Sequence, residues 1–214
     1  MAQKTVGQEG LENSYKLSTP DDNIAYYRDF APTYDTDFAE QMSYAYPKAI
    51  AEAYHRLTTG TEVPIADIGC GTGFVAAEMN VPPAAIDGMD ISPEMLGIAA
   101  EKGLYRNLFQ VDLTEPLTMI ANGYGAVLSA GTFTHGHLGA GPLRGLLDIA
   151  RSGGLFIIGV NQNHFEKQRF ADFLDTMMKD KEIGPVKIDE VKIYSRAGHE
   201  HSDDRALILQ YRKM

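Results

Sequence analysis

Seven consecutive residues constrain this chain more than any others: Asp67-Ile68-Gly69-Cys70-Gly71-Thr72-Gly73. An apolar run, Val63 to Ile68, leads into them, and a helical pattern, Phe74 to Met79, leads out. Glycines at alternate positions let the backbone turn sharply and let a ligand approach it closely. Free N–H groups at the helix start favour a carboxylate or phosphate. A strand, glycine loop and helix in this order belong to a parallel sheet that binds its ligands at the carboxyl ends of its strands. The spacing is G-x-G-x-G. Phe74 stands where the dinucleotide fingerprint G-x-G-x-x-G has its third glycine, which weakens a reading as an NAD site.

The rest of the chain repeats the alternation. Further apolar runs are Ala84 to Met89, Asn107 to Val111, Tyr124 to Ser129 and Leu155 to Val160. Helical candidates between them are Pro93 to Lys102, Glu115 to Asn122 and Pro142 to Ala150. Alternating strand and helix predict a parallel sheet covered on both faces, and strands buried on both faces read as continuous apolar runs. Before the loop, Tyr46, Ile50, Ala53 and Leu57 fall on one helical face, with Pro47 in the first turn and Gly60 at the end. After the fifth strand, Phe170, Phe173, Leu174, Met177 and Met178 form a helical stripe that packs in a core. The segment around Ile188, Val191 and Ile193, and the alternating Leu207, Leu209 and Tyr211, read as two closing strands. The polar loop Arg196 to Asp204 joins them.

At 214 residues the chain suits one domain. Residues 1–22 are polar and read as a flexible tail, and residues 23–214 as a single domain. The aromatic stretch with Tyr26, Tyr27, Phe30 and Tyr34 opens that domain as a helical lid, about 23–60, or as ordinary core packing. A net charge of −10 argues against a nucleic-acid partner and against an anionic membrane surface. The one cysteine, Cys70, makes no intramolecular disulfide. No segment resembles a signal peptide or a membrane span, so the expected location is cytoplasmic.

Two acids follow the loop at strand ends. Asp90 comes 17 residues after Gly73, where a carboxylate can accept from both hydroxyls of a ribose. A 2′-phosphate would be repelled there, which disfavours NADP. Asp112 ends the third strand and can accept from an exocyclic amine such as that of adenine. Either acid alone also suits a helix cap.

Asp67 to Gly73, then Gly-Met-Asp-Ile-Ser-Pro-Glu-Met-Leu (Gly88 to Leu96), then Val111-Asp112-Leu113, resemble the class I S-adenosylmethionine-dependent methyltransferases. The likeness covers about residues 24–214. It implies a Rossmann-like α/β fold with a seven-stranded, mostly parallel sheet, helices on both faces and an antiparallel C-terminal strand. It also implies S-adenosylmethionine as cofactor and methyl transfer as activity. By position, Asp67, Gly69, Gly71 and Gly73 pass the methionine part, Asp90 binds the ribose and Asp112 reads the adenine. Ile91 and Leu113 wall the adenine, and Ser129 at the fourth strand joins the cofactor set. The pair Tyr34-Asp35 resembles the ubiquinone and menaquinone branch. With Gly136-His137, it resembles still more closely the methyltransferase-like proteins of the Williams–Beuren region. Tyr34 is then the lid hydroxyl that reaches the cofactor carboxylate.

The fourth strand end runs Ser129 to Gly139. It lacks the Asn/Asp-Pro-Pro-aromatic motif of amino-methylating enzymes and the nucleophilic cysteine of cytosine-C5 enzymes, which favours a small-molecule acceptor. His135 and His137 are the candidate catalytic groups, able to take a proton from a hydroxyl or thiol, or merely to bond a backbone carbonyl. Two histidines without a third ligand do not make a metal site. His199 and His201, with Glu200 and Asp203, read as solvated surface, and Cys70 as structural. Two other readings stay open: a non-catalytic S-adenosylmethionine-binding protein, and an NAD-dependent oxidoreductase on a related fold.

Overall fold

A computed structural model describes residues 10, 13, 14, 17, 19–40, 43–196 and 201–214, with only the backbone of residues 37 and 38. Helix α1 spans Pro20–Thr33 and opens on a capping box, in which Asp22 N donates to Thr19 Oγ1 and Thr19 N to Asp22 Oδ2. Thr19 to Asp22, assigned to a tail from sequence, thus make the cap and first turn of a helix; most of residues 1–18 lie outside the described residues. Pro32 lacks an N–H and sits inside α1, and the helix passes into a π-helical segment, Tyr34–Glu40. Helix α2, Tyr46–Leu57, carries Pro47 in its first turn and buries Tyr46, Ile50, Ala53 and Tyr54. It belongs to the core, so any lid is confined to residues before it.

The sheet follows: β1 Ile65–Ile68, α3 Phe74–Met79, a 3₁₀ turn Pro83–Ala85, β2 Ile86–Asp90, α4 Pro93–Glu101, β3 Asn107–Gln110, β4 Tyr124–Phe133, α5 Pro142–Ile149, β5 Ala150–Asn161, α6 Gln162–Lys167, α7 Phe170–Lys179, β6 Lys187–Lys192 and β7 Arg205–Arg212. The strand order is β3-β2-β1-β4-β5-β7-β6. Strands β1 to β5 run parallel, and β7 enters antiparallel between β5 and β6. Helices cover both faces. Ile50 and Ala53 of α2 pack with Ile65 and Met79 on one face. Leu143, Leu146, Phe156, Phe170 and Leu174 pack on the other. The Phe/Met stripe of α7 is core, with Phe170, Leu174 and Met177 buried.

The expected helix Glu115 to Asn122 does not form. Short turns link Thr118 N to Pro116 O and Ile120 N to Leu117 O. Only Leu117 and Ile120 reach the core, while Met119 is 93% exposed, so no helical face has a surface to bury against. Strand β4 continues to Phe133 through a register shift against β5, beyond the expected end at Ser129.

The chain builds β1, β2 and β3 outward in one direction, then returns to lay β4 on the other side of β1. At that reversal the loops after β1 and β4 diverge, and a crevice opens outside the strand ends. Among the described residues no helix is long and apolar enough to cross a membrane.

Candidate functional site

A cavity of about 260 Å³ occupies this reversal point. Its floor is the glycine loop, with Gly69 and Gly71 on its lining, both in the left-handed backbone region at φ +63° and +53°. A side chain at Gly69 would collide with Thr132, so glycine keeps the loop against β4. A Cβ at Gly71 would meet no atom within 4 Å, so the backbone there stands open.

Asp90 borders the open backbone. Its Oδ2 accepts from Gly71 N at 2.8 Å and its Oδ1 from Ser92 N at 2.9 Å. Burial pushes this carboxyl up, while the backbone N–H groups of Ser92 and Gly71 oppose the shift. Asp112 lines the same cavity, and its Oδ1 accepts from Thr114 N and Thr114 Oγ1. Both acids therefore cap local turns and also face the cavity. Ile91 and Leu113 line it as apolar walls, with Met95 and Val111 beside them. The set can take a cationic centre, a vicinal diol and a flat ring in one ligand.

Three residues expected in the cofactor set do not border the cavity. Asp67 is fully buried under the loop, and its Oδ2 accepts from Tyr105 Oη at 2.7 Å. Its Oδ1 is buried with no hydrogen-bond partner among the described residues. Burial pushes its carboxyl up to about 7, with the Asp90 charge adding and Tyr105 opposing. Gly73 faces the Tyr105 ring. Ser129 Oγ reaches Ile68 O at 2.8 Å and Thr132 Oγ1 at 2.9 Å, tying β4 to β1. The register shift after Ser129 instead brings Thr132 to the lining. Cys70 is buried and its thiol is pushed well above its ordinary value by that burial, as suits a structural cysteine.

The two candidate histidines part. His137 lines the cavity, while His135 lies in a second hollow with Asn161, Asn163, His201 and Asp204, its ring 5.5 Å from that of His164. His137 Nδ1 lies 2.9 Å from His135 O, an acceptor, so Nδ1 carries the proton. Nε2 is then the acceptor for Tyr27 Oη, at 3.0 Å. Burial lowers the His137 pKa, with His164 adding and the His135 carbonyl opposing. His201 is not solvated surface. Its side chain is 17% exposed and pairs with Asp204 at 3.1 Å. His199 and Glu200 lie outside the described residues, and Asp203 is exposed.

Helix α1 and the π-helical segment roof the cavity. Tyr26, Tyr27, Phe30 and Tyr34 form a ladder of rings 5.1–6.2 Å apart, which continues to Phe74. Tyr34 lines the cavity, and burial raises its phenol. Two latches hold this roof. Asn23 Nδ2 donates to Gly136 O at 3.3 Å beside the Tyr27–His137 bond. Asp35 accepts from Thr72 Oγ1 at 2.6 Å and pairs with Lys102. Sequence reading missed Tyr44, Asn161 and Tyr194 on the lining. Tyr44 and Tyr194 meet through an isolated β-bridge between distant segments, which no local pattern announces.

Residues 65–154 match the family described as methyltransferase domain. Human methyltransferase-like protein 27 is 32% identical over 144 residues, which is 65% of this chain and 58% of that protein. A demethylmenaquinone methyltransferase of Chlorobaculum tepidum is 37% identical over 83 residues, 36% of this chain and 34% of that protein. The matches thus span 58% and 34% of these relatives. Among solved structures, a Thermotoga maritima S-adenosylmethionine-dependent methyltransferase, described as a possible histamine N-methyltransferase, superposes with a TM-score of 0.58. It shares 15% identity over 89% of this chain and 97% of its own, a likeness of fold.

Proposed function

From the premise that this chain belongs to the class I S-adenosylmethionine-dependent methyltransferases, with S-adenosylmethionine as cofactor, we propose that it transfers the methyl group to a small molecule held in the cavity over the glycine loop. The observation that carries this reading is Asp90 at the reversal point, bonded to Gly71 N beside an open stretch of backbone. Asp90 would accept from the ribose hydroxyls, and Asp112 from the adenine amine between Ile91 and Leu113. Gly69 and Gly71 would pass the methionine part, and Tyr34 would reach its carboxylate from the roof. Asp67, Gly73 and Ser129 would act one layer down, by holding the loop. The bound cofactor supplies a methyl group on a positively charged sulfur, already activated for displacement. The chain then has to align the acceptor, exclude water and, where needed, remove a proton.

His137 is the candidate base on this side, since its Nε2 carries a lone pair. His135, in the other hollow, would position it through the carbonyl that holds Nδ1. Helix α1 with the π-helical segment is the lid, opening by release of the Asp35 and Tyr27 latches. A net charge of −10 and a lining that holds no lysine or arginine among the described residues favour a small acceptor over nucleic acid. The single cysteine suits a reducing, cytoplasmic setting.

The reading is tested by calorimetry with S-adenosylhomocysteine, followed by incubation with methyl-labelled cofactor and a metabolite extract. Binding, and label in the low-molecular-weight fraction, are expected. Absence of binding would overturn the cofactor site. Binding without transfer to any extract would favour a non-catalytic binding protein.

A further inference from the structure

Strand β4 does not run straight into its loop. Its register against β5 shifts between Ser129 and Phe133, and Gly131 within that stretch holds φ +84°, in the left-handed region that favours glycine. Such a shift re-aims the side chains that follow it. Here it brings Thr132 back over the end of β1. A Cβ built on Gly69 would collide first with Thr132 Oγ1, so the hydroxyl rests on the backbone of the glycine loop, and both residues line the cavity.

Two neighbours fix the direction of that hydroxyl. Thr132 Oγ1 donates to Ile68 O at 3.0 Å and accepts from Ser129 Oγ at 2.9 Å. A hydroxyl has one proton and two lone pairs. The proton of Thr132 is spent on Ile68 O and one lone pair on the buried Ser129. The second lone pair is left for a donor in the cavity. Thr132 therefore meets a ligand as an acceptor with no proton to give. A carboxylate gains nothing from it, whereas a charged N–H donor gains a strong hydrogen bond.

Resting on the site reading above, in which the methionine part of the cofactor passes Gly69 and Gly71, we propose that Thr132 is a cofactor-binding residue whose hydroxyl oxygen takes the ammonium group of that part. The methionine part has one charged donor, the ammonium, and one charged acceptor, the carboxylate. An acceptor-only hydroxyl beside Gly69 draws the first toward β4 and repels the second, which turns toward the roof. Ser129, expected in the cofactor set, acts one step back: its hydroxyl occupies one lone pair of Thr132 and so keeps the Thr132 proton on Ile68 O.

The test uses the full chain near neutral pH and two probes. One is S-adenosylhomocysteine. The other is its analogue with hydrogen in place of the amino group, which keeps the carboxylate, the thioether and the adenosine. Thr132→Val and Thr132→Ala both remove the oxygen, and the bond from Ser129 Oγ to Ile68 O remains to tie β4 to β1. Calorimetry should find S-adenosylhomocysteine weakened about tenfold or more in both variants, the size of a hydrogen bond to a charged group, and the analogue weakened less than about twofold. Thr132→Ser, which restores the hydroxyl, should recover most of the loss. Unchanged affinity for S-adenosylhomocysteine in either variant overturns the contact. Equal weakening of the two probes overturns it as well, since Thr132 would then only support the loop or meet the carboxylate. Failure of the native chain to bind S-adenosylhomocysteine overturns the underlying site reading instead, and shows before any variant is made.

Discussion

At the ends of β1, β2 and β3, the glycines and acids that face the cavity lie at the end of their own strand or within three residues of it, and the two acids are held by local bonds. Asp90 is held by Ser92 N two positions on, and Asp112 by Thr114 N two positions on. Beyond the end of β4, long-range bonds are added to the local one between His137 Nδ1 and His135 O. His137 is held by Tyr27, 110 positions away, and Gly136 by Asn23, 113 positions away. One half of the cavity is therefore held by bonds of short reach, the longest of them from Gly71 N to Asp90, 19 positions on. The other is assembled only when the roof packs, and can open when it lifts. The difference teaches where to look for robustness and where for control: the side proposed for the cofactor is held by short-range bonds, and the side proposed for the acceptor depends on the packing of α1.

The sharpest break between the halves is His137→Ala. Turnover should fall by about 10²–10⁴-fold, with S-adenosylhomocysteine affinity nearly unchanged. Kinetics and calorimetry on the same preparation check it; parallel loss of both would merge the halves. The wild-type pH profile adds a second reading. Burial lowers the His137 pKa, so the neutral imidazole persists into more acidic solution than an ordinary histidine with a pKa of about 6.5. Activity should therefore be lost only as pH falls through a value below that.

Asp90→Ala breaks the cofactor half. The two charge-assisted hydrogen bonds proposed to the ribose would be lost, and affinity should fall at least about tenfold, since that requires only ~1.4 kcal/mol. Isothermal titration on the folded variant decides it, and unchanged affinity would remove Asp90 from the cofactor set.

Asp67→Asn sharpens the idea that the loop is held from below. The folded-state carboxyl of Asp67 is pushed up to about 7, above its unfolded value near 3.9. Between those values the native state keeps a proton that the unfolded chain has lost, so stability falls as pH rises, by at most about 1.4 kcal/mol per pH unit. Urea titrations from pH ~4 to ~7 should show a shallower slope in Asp67→Asn, which keeps an acceptor for Tyr105. An identical slope in both proteins would count against a buried, raised carboxyl there.

The smallest effect belongs to the roof latch. Asp35→Ala removes the Thr72 bond and a partly exposed ion pair to Lys102, together worth about 1 kcal/mol. Amide exchange in residues 20–40 should quicken by roughly fivefold and slow again when S-adenosylhomocysteine binds. Exchange that ignores both the substitution and the ligand would argue that α1 is a fixed wall.

The glycine loop, the acids Asp90 and Asp112, and the alternation of strand and helix were legible because their signals are local. A strand that ends in glycines must turn, and an acid at or just past a strand end lies at the same sheet edge whatever packs around it. Thus Gly69, Gly71, Asp90, Ile91, Asp112 and Leu113 all reach the cavity as their positions predict. Side-chain direction below that edge was not legible. Asp67, Gly73 and Ser129 turn into the protein because Tyr105 and the Ile68 carbonyl claim them. The missing helix at residues 115–122 shows the same limit, for its apolar residues find a core surface at only two positions. The division between His135 and His137, two residues apart, was decided by long-range packing alone: α1 brings Tyr27 to one, while the turn before β7 sets His201 and Asp204 beside the other. Local sequence can dictate where a strand ends and which residues crowd its edge. Which of them meets a partner depends on segments distant in the chain, whose approach is driven by burial of rings and carries no mark in the residues it selects.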